Sequence, residues 1–127
     1  MTGKILVIDD DPVARKLYTQ ALQKAGFEVI GTERVIGTTS QINEFAPDII
    51  LLDVMMPAVS GDKIVNILKQ SIRSQPVVIL LSNKGEDELK KLMNECGADD
   101  YVPKLGGINQ VLRKVNEHIW KRKGGNA

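Results

Sequence analysis

The stretch DIILLD, residues 48–53, decides how the rest of the chain is read. Its apolar centre has neither the alternation of a half-exposed strand nor the spacing of an amphipathic helix. An unbroken run of this length suits a strand covered on both faces, as in the interior of a parallel sheet. KILVI (4–8) and VVILLS (77–82) have the same character, and EVIG (28–31) and Tyr101 to Pro103 are shorter strands.

The segments between them have helical spacing. Val13, Leu17, Ala21 and Ala25 recur every four residues beside Ala14, Tyr18 and Leu22, and Gly26 stops the helix. A weaker helix, Thr39 to Phe45, ends before Ala46-Pro47, because proline disfavours a helical conformation in its predecessor. Ile64, Val65, Ile67 and Leu68 mark a helix starting near Gly61. Glu86 to Cys96 carries acids in its first turn and lysines after them, as the helix dipole favours, and ends at Gly97. Ile108, Val111, Leu112, Val115 and Ile119 form the clearest apolar stripe.

Strands alternating with helices through short connections predict an α/β fold, a doubly wound five-stranded parallel sheet with five helices. Pro103 belongs on an edge strand, and the flavodoxin-like order 2-1-3-4-5 puts the fifth strand at an edge.

With 127 residues, 43% of them hydrophobic and 26% charged, the chain reads as one domain over residues 1–122 with a disordered tail over 123–127. A net charge of +1 excludes a global field that would draw it onto nucleic acid or a membrane. The basic triplet Lys121 to Lys123 reads as a solvated helix end. No apolar run approaches the roughly 20 residues needed to cross a bilayer, and no signal-peptide pattern opens the chain, so a cytoplasmic location is expected. The single cysteine, Cys96, reads as a small buried hydrophobe.

Asp9 and Asp10 follow the first strand, Asp53 ends the third, Ser82 ends the fourth and Lys104 follows the fifth. All lie at the carboxyl end of the sheet, where such folds bind ligands. Carboxylates brought together there repel one another and lose solvation unless a cation compensates. Magnesium, which takes oxygen ligands and keeps several waters, suits the set. Asp11 has a different role. It precedes Pro12 and is expected to cap the first helix.

On these residues the chain resembles the receiver domain of two-component response regulators, including the single-domain chemotaxis type. The likeness covers Lys4 to the last helix and rests on Asp9-Asp10, on Asp53 in LLDVMMPAVSG with Pro57 and Gly61 downstream, on Ser82 and on Lys104. It implies that Asp53 is the phosphoacceptor, charged by a histidine kinase or phosphotransfer protein. It also implies that Asp10, Asp53 and the Met55 carbonyl hold Mg²⁺ while Asp9 acts through water. Lys104 and Ser82 would contact the phosphoryl oxygens, and Tyr101 would change rotamer with Ser82. The output surface would be the fourth helix, fifth strand and fifth helix, including Lys90, Lys91, Tyr101 and Arg113, with His118 and Trp120 ordinary surface or partly packed residues. Signalling would pass to a target protein or to an output domain not in this chain, the domain remaining a monomer or a weak phosphorylation-dependent dimer.

The chain departs from that pattern in three places. Receivers usually have proline directly after the lysine, in a cis peptide. Here the order is Val-Pro-Lys-Leu-Gly-Gly (102–107), and a cis bond before Leu105 would cost about 2.5 to 4 kcal/mol, so trans is expected. Asn83 stands where the family has a small residue and is expected to modulate access to the phosphoryl group. Met55 and Lys84 occupy variable positions flanking the site, and an apolar Met55, unable to orient an attacking water, predicts a long-lived phosphoryl group.

Two other readings compete. A dehalogenase-type phosphatase also uses a strand-end aspartate but needs an acid two residues later, where this chain has Met55. No turnover of an outside substrate is therefore expected. The other is a phosphorylation-independent docking module with the receiver fold, which the rearranged lysine loop keeps open.

Overall fold

The computed structural model describes residues 3–35, 37–54 and 61–124, and the side chains of residues 61, 62 and 105 lie outside that description. The strands are β1 (Lys4–Ile8), β2 (Glu28–Thr32), β3 (Ile49–Asp53), β4 (Val77–Ser82) and β5 (Asp100–Pro103). The helices are α1 (Pro12–Lys24), α2 (Thr39–Phe45), α3 (Gly61–Ser71), α4 (Glu86–Cys96) and α5 (Ile108–Arg122). The sheet is parallel throughout, in the order β2-β1-β3-β4-β5, as the sequence predicts, and Pro103 lies on an edge strand.

Alternation along each strand divides one apolar run between two cores. Ile5, Val7, Ile49, Leu51, Ile79 and Leu81 face α1 and α5, where they meet Tyr18, Leu22, Val111, Val115 and Ile119. Leu6, Ile8, Ile50, Leu52, Val78 and Leu80 face the other way, onto Ile42, Ile64, Val65, Leu68 and Leu89 of α2, α3 and α4. Every one of these central-strand residues is at most 1% exposed. A polar residue could not be sheltered at such positions without a partner, so the strands stay apolar until they reach the carboxyl edge.

Helix ends follow local chemistry. Asp11 caps α1, its carboxylate accepting the Val13 amide at 3.0 Å with Pro12 at the first helical position. Gly97 ends α4 in the left-handed conformation, and Ala46, also left-handed at φ 55°, ends α2 just before Pro47. The α1 stripe is used on one side only. Ala14, Tyr18 and Leu22 pack on the sheet, while Val13 and Leu17 are 75% and 58% exposed. The spacing of both rows is helical, and which row faces inward is set by how α1 crosses the sheet. Cys96 packs against the second core but is only half-buried, less than the full burial its spacing suggests.

Candidate functional site

Sheet register brings the polar residues level. Ile8 pairs with Leu52, so the next residue of each strand, Asp9 and Asp53, lies at the same height, and Asp53 in turn pairs with Leu81, just before Ser82. Ser82 pairs with Pro103, just before Lys104. Asp9, Asp10 and Asp53 each present a carboxylate oxygen within 4.8 Å of the others. Asp9 and Asp53 are buried, at 1% and 4% exposure, and Asp10 is exposed.

The Lys104 side chain is 16% exposed, and its ammonium reaches Asp9 Oδ2 at 3.2 Å and Asp53 Oδ2 at 3.4 Å. Its backbone enters a 3-10 turn, Lys104–Gly106, through a trans peptide before Leu105, as expected for a non-proline residue. The reversed Pro-Lys order therefore leaves the cation at the carboxylates. Burial pulls the Lys104 ammonium toward its neutral form, but Asp53 and then Asp9 outweigh it and hold the lysine above its ordinary pKa.

Asp9 is held on several sides. Its Oδ1 accepts the Asp11 amide at 2.9 Å, and its main-chain carbonyl accepts Arg15 Nη1 at 2.7 Å. Both carboxylate oxygens of Asp9 are thus engaged by protein donors. Ser82 is fully buried, and its hydroxyl accepts the Lys84 amide at 3.0 Å, which tightens the turn after β4. Asn83 and Lys84 are exposed beside it. Met55 and Pro57 lie outside the described residues.

Away from the carboxylates, Tyr101 on β5 packs against the second core and donates its hydroxyl to Glu86 Oε1 at 3.2 Å. Lys90, Lys91 and Arg113 lie exposed on α4 and α5, the helices that flank β5. His118 is partly packed, and its Nε2 is 2.7 Å from Asp100 Oδ2, which Lys114 also approaches at 3.3 Å. Trp120 is 48% exposed.

Sequence spacing does not single out Tyr18, Arg15 or Glu86 for the site. Tyr18 sits on an apolar stripe and reads as core, and only the crossing of α1 over the sheet puts its ring beside Lys104, 6.0 Å from the ammonium. Arg15 and Glu86 are ordinary polar helix residues until the fold places Asp9 and Tyr101 within their reach.

The family model of the response regulator receiver domain matches residues 5–116. The chain belongs to that family. Receiver domains work in phosphorylation-based two-component signalling, and the acidic cluster and the fold described above are those of such a domain.

Among curated relatives, the phosphate regulon transcriptional regulatory protein PhoB of Pseudomonas aeruginosa is 38% identical over 117 residues, covering 91% of this chain and 51% of PhoB. The DNA-binding response regulator MtrA of Mycolicibacterium smegmatis is 36% identical over 123 residues, covering 94% of this chain and 51% of its own. This receiver chain spans about half the length of the curated relatives it matches. Among solved structures, the response regulator DrrB, a Thermotoga maritima OmpR/PhoB homolog, superimposes with a TM-score of 0.78 at 34% identity, over 96% of this chain and 54% of DrrB. A CheY-like receiver domain protein of Methanospirillum hungatei shares the fold at TM-score 0.82 and 22% identity, over 98% of this chain and all of its own. Among the described residues no helix is long and apolar enough to cross a membrane.

Proposed function

We propose that Asp53 is the phosphoacceptor of this receiver domain. The observation that carries the reading is the level placement of Asp53 beside Asp9 and Asp10 with the Lys104 ammonium 3.4 Å from its carboxylate. A carboxylate can attack phosphorus, but two anions meet in that step, so positive charge must already be in place. A carboxylate oxygen of Asp53 forms the new O–P bond as the bond from phosphorus to the donor breaks, and the donor leaves with the electron pair. Lys104 stands where it can follow the phosphoryl oxygens, and the Ser82 hydroxyl, one residue past the partner of Asp53, can donate to one of them.

The donor set fits Mg²⁺, a hard cation that accepts carboxylate oxygens and retains water. Asp10 and Asp53 would hold it, with Asp9 contributing through water, since both Asp9 oxygens already accept hydrogen bonds from the protein. The Met55 carbonyl, outside the described residues, is proposed as a further ligand. When bound, the ion would neutralise the incoming phosphoryl charge.

The proposed donor is a histidine kinase or a phosphotransfer protein in the cytoplasm. The proposed output is docking of α4, β5 and α5 onto a target protein or onto an output domain of a longer chain. Two of the curated relatives, PhoB and MtrA, are by their names a transcriptional regulator and a DNA-binding regulator, which supports an output domain. Residues 1–122 would act as the receiver unit. Turnover of an outside substrate is not proposed, because Met55 offers no acid or base two residues after Asp53.

Intact mass after incubation with acetyl phosphate, with and without Mg²⁺, tests the reading. A single phosphoryl gain that requires both Mg²⁺ and Asp53, and is absent in Asp53→Asn, is expected. Gain in Asp53→Asn, or none in the native chain with Mg²⁺, would overturn it.

A further inference from the structure

We propose that Tyr18 is a positioning residue for Lys104, its ring acting as the wall that keeps the ammonium aimed at Asp9 and Asp53. The proposal rests on the reading that Asp53 accepts the phosphoryl group with Lys104 beside it. Three observations converge on it.

The first is geometry. The Lys104 ammonium stands 6.0 Å from the centroid of the Tyr18 ring while contacting Asp9 at 3.2 Å and Asp53 at 3.4 Å. Carboxylates therefore hold the cation on one side and an aromatic face lies on another. An ammonium so placed is attracted by the ring quadrupole, and more strongly where water is excluded.

The second is the rigidity of each side. Tyr18 is 7% exposed and belongs to the core beneath α1, among Ile5, Val7 and Leu22, so its ring is locked by packing. Lys104 has the opposite setting. It opens a 3-10 turn that runs into Gly106 and Gly107, the latter at φ 81°, a backbone region that glycine enters without strain. A long side chain on a glycine-rich turn loses more freedom when it is held in one pose than one on a strand or helix would, and a fixed ring beside it lowers the number of poses available.

The third is electrostatic. Burial pushes the Tyr18 phenol above its ordinary pKa, and Lys104, Asp9 and Asp53 are the charged groups it senses. Tyr18 is thus electrically part of the site although it stands on the apolar face of α1.

The test measures the rate of phosphoryl gain from acetyl phosphate in saturating Mg²⁺ for the full chain, Tyr18→Phe, Tyr18→Leu, Lys104→Ala and the Tyr18→Leu/Lys104→Ala double variant. Tyr18→Phe keeps the ring and is expected within about twofold of the native rate, while Tyr18→Leu, which keeps only apolar bulk, slows it about three- to tenfold. Mg²⁺ affinity stays unchanged in Tyr18→Leu, and that substitution has no further effect once Lys104 is gone. Equal slowing by Phe and Leu, or the same slowing by Leu with and without Lys104, would mean a packing role only and would overturn the proposal. A second measurement keeps the outcome clear if Tyr18→Leu folds poorly or the native chain gains no phosphoryl group. The Lys104 ε-methylene protons should be shifted upfield by the ring in the native chain and in Tyr18→Phe, and return to the ordinary lysine position in Tyr18→Leu. An ordinary position in the native chain overturns the role of Tyr18, whereas a native chain that takes no phosphoryl group while showing the upfield shift overturns the Asp53 reading alone.

Discussion

The Lys104 ammonium bridges Asp9 and Asp53, 3.2 Å from one carboxylate and 3.4 Å from the other. Its positive charge offsets the repulsion between two buried acids that share one edge of the sheet. Lys104→Met is therefore expected to destabilise the metal-free protein by about 1 to 3 kcal/mol, because it removes the ammonium that two buried carboxylates share. The same variant should bind Mg²⁺ several-fold more tightly, since the ammonium no longer competes for the oxygens. Urea unfolding in chelator and calorimetric titration of Mg²⁺ check the pair of effects. Unchanged stability and unchanged affinity would show that the bridge carries little energy.

Asp48 predicts how the protein responds to acid. Burial disfavours its charged form, but the Lys4 amide, Arg122 and Lys123 outweigh burial and hold its pKa below the ordinary 3.8. A carboxylate whose folded pKa is depressed adds stability that is present above its unfolded pKa and is lost as pH falls through the folded one. Asp48→Asn should thus be less stable than the native chain at pH 7 and lose less stability on going from about pH 5 to pH 2. Urea midpoints across that range are the measurement. Parallel pH curves for the two proteins would contradict the assignment.

Tyr101 predicts a spectroscopic effect on β5. Its phenol is raised above 10.0 by desolvation and then by the hydrogen bond and charge of Glu86. Glu86→Ala should lower the Tyr101 pKa toward 10.0 and free the ring to leave its present rotamer. Alkaline titration by ultraviolet absorbance reads this, with Tyr101→Phe assigning the signal between the chain's two tyrosines. A Tyr101 transition that stays in place in Glu86→Ala would remove Glu86 as the group that holds it.

Gly3 predicts a packing limit where α5 meets the start of β1. A Cβ at Gly3 would lie 2.4 Å from Ile119 Cδ1, and Ile119 is 1% exposed. Gly3→Ala should cost about 1 to 3 kcal/mol through overpacking. Ile119→Val, which deletes that methyl, should recover part of the loss when combined with it, so the two changes will not add. Additive costs in chemical denaturation would show that Ile119 moves aside freely.

Much of this was legible along the chain because its signals are local and periodic. Ile49 to Leu52 are apolar without interruption because each faces a core on one side of the sheet or the other, and that marks a central parallel strand. Asp11 before Pro12, Gly97 after Cys96 and Pro103 on the last strand each follow from backbone chemistry that does not depend on distant residues. The row of α1 that faces solvent was not legible in this way. Val13 and Leu17 have the same spacing as Ala14, Tyr18 and Leu22, and spacing alone does not fix the rotation of a helix against a sheet.

The site divides along the same line. Position along the chain was enough to bring Asp9, Asp10, Asp53, Ser82 and Lys104 to one edge, because each closes or follows a strand and the strands run parallel. Several contacts became visible only in three dimensions. Lys104 reaches both buried carboxylates despite following its proline, Tyr18 lies beside the Lys104 ammonium, Arg15 binds the Asp9 carbonyl, and His118 pairs with Asp100. All but the Arg15–Asp9 contact join residues far apart in the chain. Their formation depends on register and helix crossing, which long-range packing sets and no local periodicity encodes.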